Sequence, residues 1–109
     1  MPGPSDIPRG NIALAMILQA TLSPAAVGAN TTAEQTFTVS GLLPGDVVSV
    51  TKPTTQAGLG IVNSRVSAIN TLAITFSNNT GGGITPTAGE AYIIELNRPT
   101  STTLPTAIV

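Results

Sequence analysis

Apolar side chains recur at every second residue through most of this chain, the spacing of a strand that turns one face to a core. The pattern is clearest in VNSRVSAINTLAITF, where Val62, Val66, Ala68, Leu72, Ile74 and Phe76 share one parity and mostly small or polar residues lie between. Two half-buried strands meeting near Asn70 are predicted. A three-residue loop over Ala68 to Asn70, with Asn70 in the left-handed conformation asparagine tolerates, sets Val66 opposite Leu72 and Val62 opposite Phe76. A slip of one residue would turn one strand's apolar set to water, so parity fixes the register more firmly than turn chemistry does.

Ile12 to Leu22 is rich in good helix formers, yet Ile12, Leu14, Met16, Leu18, Ala20 and Leu22 form one apolar series. Ala13, Ala15, Gln19, Thr21 and Ser23 form a smaller, more polar one, with Ile17 the exception, so a strand is predicted. Ser23 to Thr32 is a connection broken by Pro24 and Gly28. Glu34 to Ser40 alternates around Phe37 and Val39 and reads as a strand. Leu43-Pro44-Gly45-Asp46 places proline and glycine where a type II turn wants them, which reverses the chain into a strand over Val47 to Thr51. Lys52 to Gly60 is a loop. Ser77 to Gly89, rich in asparagine, threonine and glycine, is a mobile or specially folded loop. Ala91 to Asn97 is the last strand, with Tyr92, Ile94 and Leu96 facing in and Pro99 ending it.

Short strands separated by turn signals, with no long helical period, predict an all-β fold: a small antiparallel β-sandwich or barrel with extended N- and C-terminal arms. The expected division is an arm over 1–11, a domain over 12–98 and a tail over 99–109. Strand order does not follow from the pattern. Pro2, Pro4 and Pro8, with Gly3 and Gly10, keep the first segment from pairing as a central strand. Such a segment is either a disordered tail or an arm laid on a neighbouring subunit, and the reading taken forward is the arm.

Charged residues make up 8% of the 109, against roughly 25% in ordinary globular proteins, and the net charge is −1. Such a surface does not repel copies of itself. Arg9, Lys52, Arg65 and Arg98 are scattered, so no electrostatic footprint for nucleic acid appears. The apolar run Ile12 to Leu18 is too short to span a membrane, and the start MPGPSDIPRG lacks the basic and apolar regions of a secretory leader.

Histidine and cysteine are both absent, which removes the commonest general base, the thiolate nucleophile and the commonest metal ligand. Asp6, Glu34, Asp46, Glu90 and Glu95 are isolated in sequence, and no catalytic residue, cofactor or metal is expected. Gly58-Leu59-Gly60 and Gly81-Gly82-Gly83 would cradle phosphate only if a helix followed. Asn30-Thr31-Thr32 and Asn78-Asn79-Thr80 match the glycosylation acceptor pattern but read as loops in so threonine-rich a chain. Arg65 is expected as a solvated charge, with Glu34, Glu90, Glu95 or another chain as possible ion partners. Sugar sites usually offer an aromatic face, and of Phe37, Phe76 and Tyr92 only Tyr92 stands as a candidate, a poor one. Ile69 falls at the hairpin tip, where an apolar side chain has no core to enter.

EQTFTVSGLLPGDVVSV (Glu34 to Val50), GLGIVNSRVSAINTLAITFSNNTG (Gly58 to Gly81) and TPTAGEAYIIELNR (Thr85 to Arg98) together resemble small structural proteins of tailed-bacteriophage virions. The resemblance covers the last two thirds of the chain and includes no catalytic signature. It implies a non-enzymatic decoration, or cement, protein on the outer capsid surface, assembled in the bacterial host cytoplasm. Its partner would be the major capsid protein, and a homo-oligomer is expected, a trimer before a dimer. Ile7, Pro8 and Arg9 in the arm, Ile69 at the hairpin tip, and Leu104 and Ile108 in the tail are the partner-binding candidates. A tail-fibre or host-surface adhesin domain is the alternative.

Overall fold

Side chains that alternate in polarity need a facing surface to bury their apolar half, and here six antiparallel strands supply it to one another. The structure, a computed structural model, describes residues 10–107. The strands are β1 (Ile12–Leu22), β2 (Thr31–Thr38), β3 (Val47–Thr51), β4 (Leu59–Ala68), β5 (Thr71–Asn78) and β6 (Glu90–Pro99). They form two sheets of three, ordered β1-β6-β3 and β2-β5-β4, in a small β-sandwich. Each middle strand has two neighbours, and its inward side chains are the most deeply buried. Leu72, Ile74 and Phe76 of β5 and Tyr92, Ile94 and Leu96 of β6 make the centre of the core, joined by Leu22, Val27, Val39 and Leu42.

Several predicted elements appear where the pattern put them. β1 and β3 have the predicted bounds. The Leu43 to Asp46 turn closes with the Asp46 amide donating to the Leu43 carbonyl at 3.0 Å, and Gly45 takes the positive φ of 95° that a type II turn demands. At the β4–β5 tip Asn70 is left-handed, with φ 58°, and Val66 pairs with Leu72. Ala68 pairs with Thr71, however, so the loop has two residues, Ile69 and Asn70, instead of three, and a bulge between Val66 and Ala68 keeps the register.

Other details differ. Val62 does not face Phe76: a β-bulge between Ile61 and Asn63 sets Ile61 opposite Phe76 and turns Val62 outward, 60% exposed. β2 begins at Thr31 instead of Glu34, because left-handed Asn30 completes the turn before it and Thr31 already pairs with Asn78. It ends at Thr38, since the Val39 amide leaves the ladder to donate to the Asn70 carbonyl at 2.9 Å. Arg65 is not simply solvated. It makes two 2.9 Å bonds to Glu34, reaching from edge strand β4 to edge strand β2 across the outer face of β5. The pair crosses diagonally, Arg65 standing opposite Ala73 and Glu34 opposite Thr75, and Ala73 is buried on that otherwise polar face.

The loop after β5 is specially folded. Asn78 is buried and its side chain satisfies itself completely: its amide donates to the carbonyls of Val27 (3.0 Å) and Gly82 (2.8 Å), and its oxygen accepts from the amide and hydroxyl of Thr80. This amide is no accessible glycosylation acceptor. Gly58 and the three glycines 81–83 are followed by strand or bridge geometry, so the helix a phosphate loop requires is missing at both.

Tyr92 presents the opposite case. Its ring fills the core but its hydroxyl has no hydrogen-bond partner, and burial, with Glu90 nearby, pushes the phenol up to about 12. A buried hydroxyl without a partner costs its desolvation and returns nothing. Tyr92→Phe is therefore expected to unfold at equal or higher urea concentration than wild type. A loss beyond about 1 kcal/mol would mean that the hydroxyl is bonded in solution. Asn78→Ala, which removes all four hydrogen bonds of this buried side chain and leaves a cavity, is expected to lose about 2 to 3 kcal/mol in the same titration.

Candidate interaction surface

The two ends of the sandwich differ in chemistry. At one end the β1–β2, β3–β4 and β5–β6 connections are tied together by polar groups. Val27 and Ile84 exchange backbone bonds of 2.7 and 3.0 Å, and Gln56 binds the Thr85 carbonyl and the Thr87 amide. Lys52 pairs with Glu90 at 2.8 Å and also holds Thr54, whose hydroxyl donates to the same carboxylate. Those contacts lower the Glu90 carboxyl below its ordinary range, the Lys52 bond most and the Thr54 bond next. On the flank between β1 and β2, the Gln35 side-chain amide matches the backbone of Ala25 like a strand rung, at 2.7 and 2.9 Å.

The other end is where the chain enters β1 and leaves β6. Its frame is polar. Asn70 donates its amide to the Leu42 carbonyl and accepts from the Gly41 amide on its side chain, both at 2.8 Å. Arg98 binds the Gly41 carbonyl at 2.8 Å and the Asp46 carboxylate at 2.8 and 2.9 Å, and that carboxylate also receives the Leu43 amide. The surface carried by this frame is apolar: Leu43, Val47 and Ile69 stand exposed, Leu14 and Met16 are partly exposed on the inner face of edge strand β1, and Leu104 lies just beyond β6. The Thr100 amide donates to the Asn11 carbonyl at 2.7 Å, and Pro105 to Ala107 run beside Gly10 and Asn11.

Two of the six sequence-derived partner residues lie on this surface. Ile69 is 64% exposed at the β4–β5 tip, Leu104 is 52% exposed, and both stand at the end where Gly10 enters. Ile7, Pro8, Arg9 and Ile108 lie outside the described residues. Leu14, Met16, Leu43 and Val47 were not singled out by sequence reasoning, because parity assigns a face without saying how far the opposite sheet extends. Ile17, 70% exposed on the outer face of its sheet, did carry a signal as the one large apolar residue out of parity.

The chemistry available is limited. Lys52, Arg65 and Arg98, the cations among the described residues, are each held by a carboxylate. Glu95 alone has no cationic partner among the described residues. No three metal-ligating side chains stand together among them. Phe76 and Tyr92 are fully buried and Phe37 half-buried, so none of them offers a sugar ring a free face. No helix among the described residues is long and apolar enough to cross a membrane. No family model, curated protein or solved structure matches the chain.

Asp46 locks the frame of the apolar end, and its ionisation is testable. The bonds from Arg98 hold its carboxyl below the ordinary 3.8, burial opposes them, and the Leu43 amide adds to them. With the folded value lower than the unfolded one, the stabilisation is complete above about pH 5 and lost as pH falls through the folded value. Asp46→Asn is expected to be about 2 kcal/mol less stable than wild type at neutral pH, with the gap closing below pH 3.8. A gap of constant size down to strong acid would detach the carboxylate from this role.

Proposed function

We propose that this chain is a non-enzymatic virion structural protein, a decoration protein that oligomerises on the outer surface of a bacteriophage capsid and bridges neighbouring major capsid subunits. The observation that carries the reading is the gathering of exposed apolar side chains, Ile69 and Leu104 among them, at the end of the sandwich where both chain segments arrive. Surfaces of this kind are made to be covered. Three of the four described carboxylates are held by cations, which suits them to fixing structure and leaves them poor proton donors at neutral pH. The resemblance of Glu34 to Val50, Gly58 to Gly81 and Thr85 to Arg98 to phage structural proteins supports the same reading. An eleven-residue arm before β1, drawn out, reaches roughly 35 Å, enough to cross to an adjacent subunit. Weak contacts repeated over a lattice suffice for stable attachment.

The test is binding of purified chain to expanded capsids, with the chain located on the particle by image reconstruction. Wild type is expected to occupy the outer surface; deletion of residues 2–10 is expected to abolish occupancy while circular dichroism still reports a folded domain. Ile69→Asp with Leu104→Asp is expected to reduce occupancy at least tenfold, about 1.4 kcal/mol of binding. Bare capsids alongside binding to host cells or glycans would replace this reading with the adhesin one.

A further inference from the structure

Four strands of the sandwich have an outer edge, and three of those edges are blunted. β3 is five residues long. β4 is broken by bulges at Val62 and Ser67, carries Arg65, and lies against β3, where the Ser64 hydroxyl donates to the Val48 carbonyl. β2 carries Glu34 and lines its outer face with threonines 32, 36 and 38. Charge, bulges and shortness are the devices by which sheet edges avoid pairing with other chains.

β1 has none of these over most of its length. It runs eleven residues, has no charge and no proline before its end at Leu22, and its single irregularity lies at its start, between Ile12 and Leu14. One side pairs with β6, and no backbone or side-chain group among the described residues hydrogen-bonds the other. We infer that the outer edge of β1 pairs antiparallel with β1 of a second copy, across a two-fold axis, joining two three-stranded sheets into one of six strands.

The side-chain pattern selects both the occupant and the register. A two-fold axis passing through a residue pairs positions of equal parity, so the apolar even series of one strand meets the same series of the other. An axis between residues would set apolar against polar. Centring on Ile17, the midpoint of β1, sets Ile17 opposite its own copy, Met16 opposite Leu18, and Leu14 opposite Ala20. Ile17, 70% exposed, gains a neighbour, and Leu14 and Met16, which the facing sheet leaves uncovered, gain another. Pairing along this length adds about ten backbone hydrogen bonds, the number a typical protein interface carries. No charge is buried.

This contact is a dimer contact and displaces the trimer expected from the resemblance to phage structural proteins. Sedimentation of the full chain is expected to give twice the chain mass, with Ile17→Glu, which sets two carboxylates on the axis beside the Glu95 that pairs with position 17 in each copy, sedimenting as monomer. Val62→Glu, a comparably exposed site on β4, is expected to remain dimeric. Because the chain has no cysteine, Ile17→Cys supplies a direct readout. Opposed side chains stand close enough for a disulfide, and mild oxidation is expected to give a covalent dimer, while Val62→Cys stays monomeric on a non-reducing gel. A wild-type monomer or trimer, or cross-linking at Val62 as readily as at Ile17, overturns the inference. A dimer that leaves capsids bare sinks the capsid reading alone, and a monomer that decorates them sinks only this one.

Discussion

The contact between the inner faces of β5 and β6 is the constraint on which the rest of the molecule depends. Each strand is the middle of its sheet, so Leu72, Ile74 and Phe76 meet Tyr92, Ile94 and Leu96 with almost no exposure to water. The chain has no disulfide to share the work. Truncating a buried phenylalanine costs about 3 to 5 kcal/mol, a large part of the roughly 5 to 15 kcal/mol that holds a domain of this size together. The four outer strands are positioned by register on these two, and every feature at either end inherits its place from that register.

Sparse charge and an uneven surface follow from one another. The three ion pairs among the described residues are used inside the architecture: Lys52 with Glu90 ties a loop, Arg98 with Asp46 fixes the entry and exit of the chain, and Arg65 with Glu34 lies across the outer face of β5. Little charge remains to keep copies apart. One end is closed by backbone and amide bonds around Asn78, Gln56 and Val27, and the other end carries leucine, valine and isoleucine on a polar frame. A molecule built this way removes apolar surface from water when its apolar end is covered and little when the polar end is.

Much of this was legible in the sequence, because parity is a local property. Ile12 to Leu22 was readable as a strand despite its helix-forming composition, and the Leu43 to Asp46 turn and left-handed Asn70 follow from residues adjacent in the chain. What parity cannot register is an inserted residue. The bulge at Val62 moved Ile61 into the place opposite Phe76. Strand order, the Gln35 contact with Ala25 and the burial of Asn78 depend on residues far apart in sequence, and no local pattern announces them. Of the candidate surface, Ile69 was readable from its place at a tip. The exposure of Leu14 and Met16 was not, because it depends on β1 lying at the edge of its sheet, which no local pattern announces.

The glycine-rich stretch after Asn79 has a practical corollary. The described chain enters at Gly10 and leaves past Thr100 on the same end, the end that carries the exposed apolar side chains. Gly81 and Gly82 are exposed at the far end, in open space where a side chain would touch nothing. Cargo spliced into that loop would stand at the end opposite the exposed apolar side chains, which makes the loop the natural port for display.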